Sequence, residues 1–92
     1  MTLIKLMQKL ETFDNESTIY AAKPWTENSK ALALHEPESG GLPPEAEILE
    51  LGYFLEVSVA RDFIENWAVS LDTAPTLQEK CLKLIQYAIK DA

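Results

Sequence analysis

The last third of the chain carries two apolar stripes at helical spacing, and these stripes constrain the fold more than any other feature. Apolar residues recur every three or four positions in both: Val59 (or Ala60), Phe63, Ile64, Trp67, Ala68 and Leu71, then Leu77, Cys81, Leu84, Ile85 and Ala88. Between them, Asp72–Pro75 breaks the pattern, and Thr76-Leu77-Gln78-Glu79 has the spacing of a capping box that begins the second helix. Such helices need an apolar surface to cover, and a small sheet would supply it.

Strand and turn signals upstream predict that sheet. The three strand candidates are 18–22, 30–35 and 53–57, and two further helices are expected over 3–10 and 45–51. Thr2 is the expected N-cap of the helix over 3–10. Gly52 is the expected stop of the helix over 45–51. We therefore predict an α+β fold in which a three-stranded, at least partly antiparallel sheet is packed by helices in the order α-β-β-α-β-α-α.

Length and composition indicate one globular domain over residues 1–92. Hydrophobic residues make up 47% of the chain and charged residues 25%, which is ordinary for a folded protein and argues against disorder. A single cysteine, Cys81, rules out an internal disulfide and favours a reducing compartment. Lys5 and Lys9 interrupt the apolar N-terminus, so we expect neither a signal peptide nor a membrane span, and we expect a cytoplasmic protein.

The negative charge is concentrated in the middle of the chain. Residues 36–60 contain six glutamates and no lysine or arginine, so they carry −6 of the net charge of −7. This distribution argues against nucleic-acid binding, which requires a basic surface, and against attraction to an acidic membrane. It is compatible with a basic protein partner.

The candidate reactive residues do not form a catalytic set. His35 has only Glu36 or Glu38 near it in sequence to orient it, and Cys81 lies on an apolar stripe, where a structural role is expected. The glutamates lack the aspartates and the spacing of a calcium loop, so no metal is expected. We predict a protein that is not an enzyme and requires no cofactor.

The leading hypothesis is a protein-interaction module, of the inhibitor or immunity type, that binds a basic partner. Its binding surface would be the acidic loop and the following helix, residues 36–50, with Glu36, Glu38, Glu45 and Glu47 as partner-binding residues. Trp25, in a loop after Pro24, is the candidate apolar anchor, although a tryptophan under a loop also serves as a core residue.

Two other functions remain open from the sequence. A small-ligand-binding or accessory subunit would have an apolar pocket lined by residues such as Tyr20, Tyr53 and Trp67. A self-associating protein would use the wide stripe of the final helix, because Leu82 and Ile89 exceed what one buried face requires. The second possibility predicts a homodimer.

Aromatic, proline and glycine positions also carry a family resemblance over most of the chain. They are Ile19-Tyr20 before Pro24-Trp25, the proline-rich acidic loop leading to Ala46, Gly52-Tyr53 before a Leu-Glu-Val strand, and the terminal Tyr87 and Asp91-Ala92. With these residues the chain resembles a family of short bacterial proteins of unknown function, some of which look like immunity proteins encoded beside toxin genes. The resemblance implies no catalytic residues and assigns no role to individual positions.

Overall fold

The computed structural model describes residues 1–91 and has the α+β architecture and the element order expected from the sequence. The elements are α1 (Leu3–Gln8), a short 3₁₀ helix (Leu10–Thr12), β1 (Thr18–Ala21), β2 (Ala31–Leu34), α2 (Pro44–Ile48), β3 (Gly52–Glu56), α3 (Val57–Val69) and α4 (Leu77–Asp91).

The predicted N-terminal caps of α1 and α4 are present. Thr2 Oγ1 accepts from the Lys5 N–H at 3.4 Å, and the Thr76 N–H donates to Glu79 Oε1 at 2.8 Å while Thr76 Oγ1 accepts from the Glu79 N–H at 3.1 Å.

The three strands form one antiparallel sheet with β1 in the centre, in the order β2-β1-β3. Residue 19 pairs with residue 33 on one side and with residue 55 on the other. The outer side of β2 is partly covered by the N-terminus, because Thr2 forms a bridge with Lys30 and the Ala31 N–H donates to the Met1 carbonyl at 2.8 Å. Within residues 1–91, β1 is therefore the only strand whose two edges are both paired with strands of the sheet.

A bulge in β3 lets two consecutive residues of that strand enter the main hydrophobic core. The register shifts between Ile19, which pairs with Leu55, and Tyr20, which pairs with Tyr53, so Phe54 has no partner of its own. In a regular strand, the neighbouring side chains of Phe54 and Leu55 would point to opposite faces of the sheet. Here both are buried in the same hydrophobic cluster. The extra residue thus adds a phenylalanine to the helix-covered face.

The main core lies between one face of the sheet and the three helices α1, α3 and α4. It contains Leu3, Leu6, Met7 and Leu10 from the N-terminal segment, Ile19, Ala21, Ala31, Phe54 and Leu55 from the sheet, and Val57, Ala60, Ile64, Cys81, Leu84, Ile85 and Ala88 from the last two helices. The predicted stripes of α3 and α4 therefore face this layer. Trp67 packs on its margin and is half-buried, whereas Leu71 lies beyond the end of α3 and is exposed.

Arg61 of α3 ties the core helices to the segment that leads into β1. Its guanidinium donates to the Leu10 carbonyl from Nε at 3.2 Å and from Nη2 at 2.9 Å, and it also donates to the Phe13 carbonyl and to Asn15 Oδ1. Leu10 is the first residue of the 3₁₀ helix, and Phe13 directly follows the last one. A charged donor with several bonds therefore fixes the approach of the chain to the central strand.

The opposite face of the sheet has a smaller cluster, covered by the acidic segment, which we define as residues 36–51. Tyr20, Ala46 and Leu51 are its buried members, and Leu32 and Leu34 of β2 pack against it. The chain turns back under α2 because the Leu51 N–H donates to the Ala46 carbonyl at 2.8 Å. Together with the Glu50 N–H to Glu47 carbonyl bond at 3.1 Å, this is a Schellman motif.

Several helix boundaries differ from the sequence expectation, including the ends of α1 at Gln8 and of α3 at Val69, and two of the differences have a clear structural cause. Helix α2 ends at Ile48, and the left-handed residue that follows it is Glu50, with φ of 58°, so the prediction that Gly52 stops the helix is wrong. Gly52 instead begins β3. Helix α3 begins at Val57 rather than Val59, because the bulged strand ends one residue earlier, at Glu56.

Replacing Glu50 with glycine is expected to stabilise the protein by about 0.5–1 kcal/mol, because a residue with a Cβ is strained in the left-handed region whereas glycine is not. The free energy of unfolding from urea denaturation measures the effect. Glu50→Gln is the matched control, because it removes the same charge and keeps the strain. An equal gain in both variants would assign the effect to charge and contradict the backbone explanation.

Candidate functional site

The acidic segment is held to the sheet by its apolar residues and turns its carboxylates to solvent. Ala46 and Leu51 are buried against Tyr20, while Glu36, Glu38, Glu45, Glu47 and Glu50 are all exposed. Pro44 occupies the first turn of α2, where its missing N–H costs nothing, and Glu45 and Glu47 lie in that same turn, where the helix dipole favours negative charge.

These carboxylates have no cationic partner within the described part of the chain. The close contacts between basic and acidic side chains among residues 1–91 are the hydrogen bond of His35 with Asp14 at 3.0 Å and the ion pair of Arg61 with Glu11 at 3.9 Å, and neither involves a glutamate of residues 36–60. In the same range, no three His, Cys, Asp or Glu side chains converge closely enough to hold a metal ion. The glutamates thus form a spread, unneutralised surface.

Trp25 is half-buried and does not extend freely into solvent. Its ring meets Phe54 edge-to-face with 4.8 Å between centroids, and its indole N–H donates to the Ala21 carbonyl at 3.3 Å. The Lys23 ammonium lies 5.1 Å from the centroid of the ring. Trp25 therefore anchors its own loop to the sheet and leaves only part of the ring for an external contact.

Tyr53 is the exposed aromatic residue that the sequence did not identify as a surface feature. It is 51% exposed. Partial burial raises the pKa of its phenol, and the negative charges of Glu56, Asp91 and Glu36 raise it further. The ring therefore lies in a negative field to which the acidic segment, β3 and α4 all contribute. The only signal in the sequence is its position directly before two consecutive core residues.

Trp25 and Tyr53 border a common groove, which we call the aromatic groove. It has a volume of about 320 Å³ and is lined by Lys23, Trp25, Gly52, Tyr53, Phe54, Ala88 and Asp91. The loop before β2, the edge strand β3 and the C-terminal end of α4 meet there. A neighbouring groove of about 430 Å³ connects the region to the acidic segment, because Lys23, Glu47 and Glu50 line it together.

The structure does not bring together the three residues expected to line an apolar cavity. Tyr20 belongs to the small cluster under the acidic segment, and Tyr53 is half-exposed. Trp67 packs against the main core on the other side of the sheet, where the Lys83 ammonium lies 5.8 Å from its ring centroid. Another groove, of about 480 Å³, lies beside β2 and is lined by Met1, Thr2, Lys5, Lys30, Ala31, Leu32 and Leu49.

His35 is paired with a residue distant in sequence rather than with its neighbours. Its Nε2 lies 3.0 Å from Asp14 Oδ2, and both side chains are exposed. The pKa of Asp14 is lowered, first by the hydrogen bond from the Glu16 N–H and then by His35. Glu36 and Glu38, the acidic residues near it in sequence, are not its partners. The pair ties the end of β2 to the loop before β1.

The final helix presents apolar residues outside its buried stripe. Leu82 is 45% exposed and Ile89 is 60% exposed, whereas Cys81, Leu84, Ile85 and Ala88 are buried. Ile89 also borders a shallow groove with Lys23, Pro24 and Trp25. These side chains lie apart along α4, and the homodimer remains a prediction.

No helix within residues 1–91 has the length and hydrophobicity needed to cross a bilayer.

Comparison with known proteins adds no relative: no protein-family model, curated protein or solved structure matches the chain. The resemblance to short bacterial proteins with immunity-like members therefore stays a prediction that rests on the residues named above.

Cys81 is expected to resist thiol reagents in the folded protein. Burial raises the pKa of its thiol to about 11, and the negative charge of Glu27 adds to the shift. Because the ordinary pKa of the thiol is 9.0, the thiolate fraction at pH 8 is about 100-fold smaller in the folded protein, and labelling should be about 100-fold slower than in the unfolded chain. Reaction with Ellman's reagent, with and without urea, measures both rates. Equal rates would contradict the buried placement.

Proposed function

We propose that the protein is a small acidic interaction module that binds a basic protein partner through the acidic segment, in the manner of an inhibitor or immunity protein. The observation that carries the proposal is the set of exposed glutamates at residues 36, 38, 45, 47 and 50, none of which has an ion-pair partner within residues 1–91. Such a surface accelerates encounter with a basic partner and repels acidic competitors.

The attachment of the acidic segment supports this role. The segment covers the apolar outer face of the sheet through Ala46 and Leu51, so its glutamates are presented on a folded support rather than on a free tail. A support that is already ordered loses less conformational entropy when it binds than a disordered acidic tail would. The exposed part of Trp25 and the half-exposed ring of Tyr53 would add apolar contact next to the charges.

Binding is proposed in preference to catalysis because of where the reactive side chains lie. His35 is hydrogen-bonded to Asp14 at the surface, and Cys81 is buried in the main core. A protein that occludes its partner needs neither residue.

The lone cysteine also supports a reducing compartment, and we propose the cytoplasm.

The test of the proposal is a variant with Glu36, Glu38, Glu45 and Glu47 all changed to glutamine. It should keep the circular dichroism spectrum of the parent and lose capture of a basic partner from lysate of the source organism, because the charges that attract that partner are gone. Elution of the parent complex with a salt gradient, read by mass spectrometry, identifies the partner.

A charge-matched control separates local from global charge. Glu16→Gln, Asp62→Asn, Glu65→Gln and Asp72→Asn also remove four negative charges, and all four residues are exposed outside the acidic segment. This control should retain the partner at nearly the parental salt concentration. Retention by the first variant, or equal loss by both, would overturn the proposal.

The groove beside β2 favours a second candidate function, the binding of an anionic apolar ligand. Its volume of about 480 Å³ falls in the usual range for ligand sites, and Lys5 and Lys30 accompany Ala31, Leu32 and Leu49 in its lining. Decanoate is a suitable probe because it combines one carboxylate with an apolar chain. Calorimetry should show binding that weakens about tenfold in the Lys5→Gln, Lys30→Gln double variant. No binding to the parent protein would exclude this candidate.

A further inference from the structure

The lining of the aromatic groove combines aromatic rings with one carboxylate, that of Asp91, and one of the chain's own cations, Lys23. Trp25 and Tyr53 line it with Asp91, and the negative charges of Glu36 and Glu56 act on the Tyr53 ring. The Lys23 ammonium lies 5.1 Å from the centroid of the Trp25 ring, so the chain places one of its own basic side chains against this surface. Aromatic faces attract cations through their quadrupole, and the effect increases with desolvation.

We propose that the aromatic groove receives an arginine side chain of the basic partner, with Trp25 and Tyr53 against the guanidinium and the Asp91 carboxylate as its counter-charge. The inference rests on the proposed function and deepens it, because it names the partner residue and the place where it binds. In the free protein, Lys23 is the internal competitor for the same aromatic surface.

The chemistry of the groove favours arginine over other occupants. A guanidinium is planar, stacks on aromatic rings and pairs with a carboxylate through two donors, whereas an ammonium is compact and strongly hydrated. An arginine therefore has more to gain from these walls than Lys23 has.

Charge also separates the basic partner from a second copy of this chain. A second copy would bring the same net charge of −7 and the same carboxylates to the groove. Like charges at an interface disfavour association, so the exposed apolar area around Tyr53 and Ile89 does not favour a homodimer here. A partner segment rich in arginine and lysine removes this repulsion.

Synthetic peptides test the groove independently of the acidic segment. The probe is a nine-residue peptide of alternating lysine and glycine with one central arginine, and its comparison has citrulline, which is neutral and nearly the same shape, at that position. Affinities come from fluorescence anisotropy at low ionic strength. The Trp25 indole N–H resonance reports contact at the groove. The citrulline peptide should bind about tenfold more weakly and leave that resonance unshifted.

Variants at the groove should change the ratio of the two affinities. Asp91→Asn and Tyr53→Leu should each reduce the arginine preference about fivefold, whereas Tyr53→Phe retains the ring and should retain the preference. Lys23→Gln should tighten binding of the arginine peptide about threefold because it removes the competitor. Lys30→Gln, which removes an equal charge beside the other groove, should have a smaller effect.

The outcomes distinguish this inference from the function on which it rests. In the variant with four glutamines, both peptides should weaken together while the arginine preference persists. If the parent protein binds both peptides equally and the four-glutamine variant loses this binding, the arginine assignment to the groove is overturned and the proposed function stands. Failure of the parent to bind either peptide would overturn both. A dimer that buries Tyr53 would also overturn the arginine assignment.

Discussion

The fold depends on the complete burial of β1. All four of its residues are buried, both of its edges are paired with neighbouring strands, and each of its faces contributes to a different hydrophobic cluster. Ile19 and Ala21 point into the main core, and Tyr20 points into the small one. Because the two clusters share this strand, the helical layer and the acidic segment are packed on opposite sides of one rigid element. The Arg61 hydrogen bonds then fix the direction from which the chain enters the strand.

The two faces of the sheet are covered unequally, and this inequality places the candidate site. Three helices bury the inner face, whereas the outer face is covered by the short α2 and the loops around it. A cover this thin cannot bury its own polar residues, so all five glutamates of the segment face water. The acidic surface therefore follows from the way in which a short segment covers the outer face of the sheet. The same surface is the proposed binding surface.

Local patterns predicted most of the fold, and long-range pairing explains what they missed. The helical stripes, the Thr76–Glu79 capping box and the exposure of Glu36, Glu38, Glu45 and Glu47 follow from spacing and polarity over a few residues. The bulge at Phe54 does not, because it depends on the register between β3 and β1. The half-exposure of Tyr53 is a consequence of that bulge. The pairing of His35 with Asp14, 21 residues away, is likewise set by the sheet.

The acidic segment is attached through only three buried residues, Pro43, Ala46 and Leu51, and this has a consequence for the ionic conditions around the protein. Its glutamates repel one another without internal neutralisation, so the repulsion opposes the closure of the outer face at low ionic strength. Dissolved cations reduce this repulsion by screening. A basic partner reduces it by direct neutralisation. Salt and partner therefore stabilise the closed outer face in the same direction, although salt weakens the complex that the partner forms.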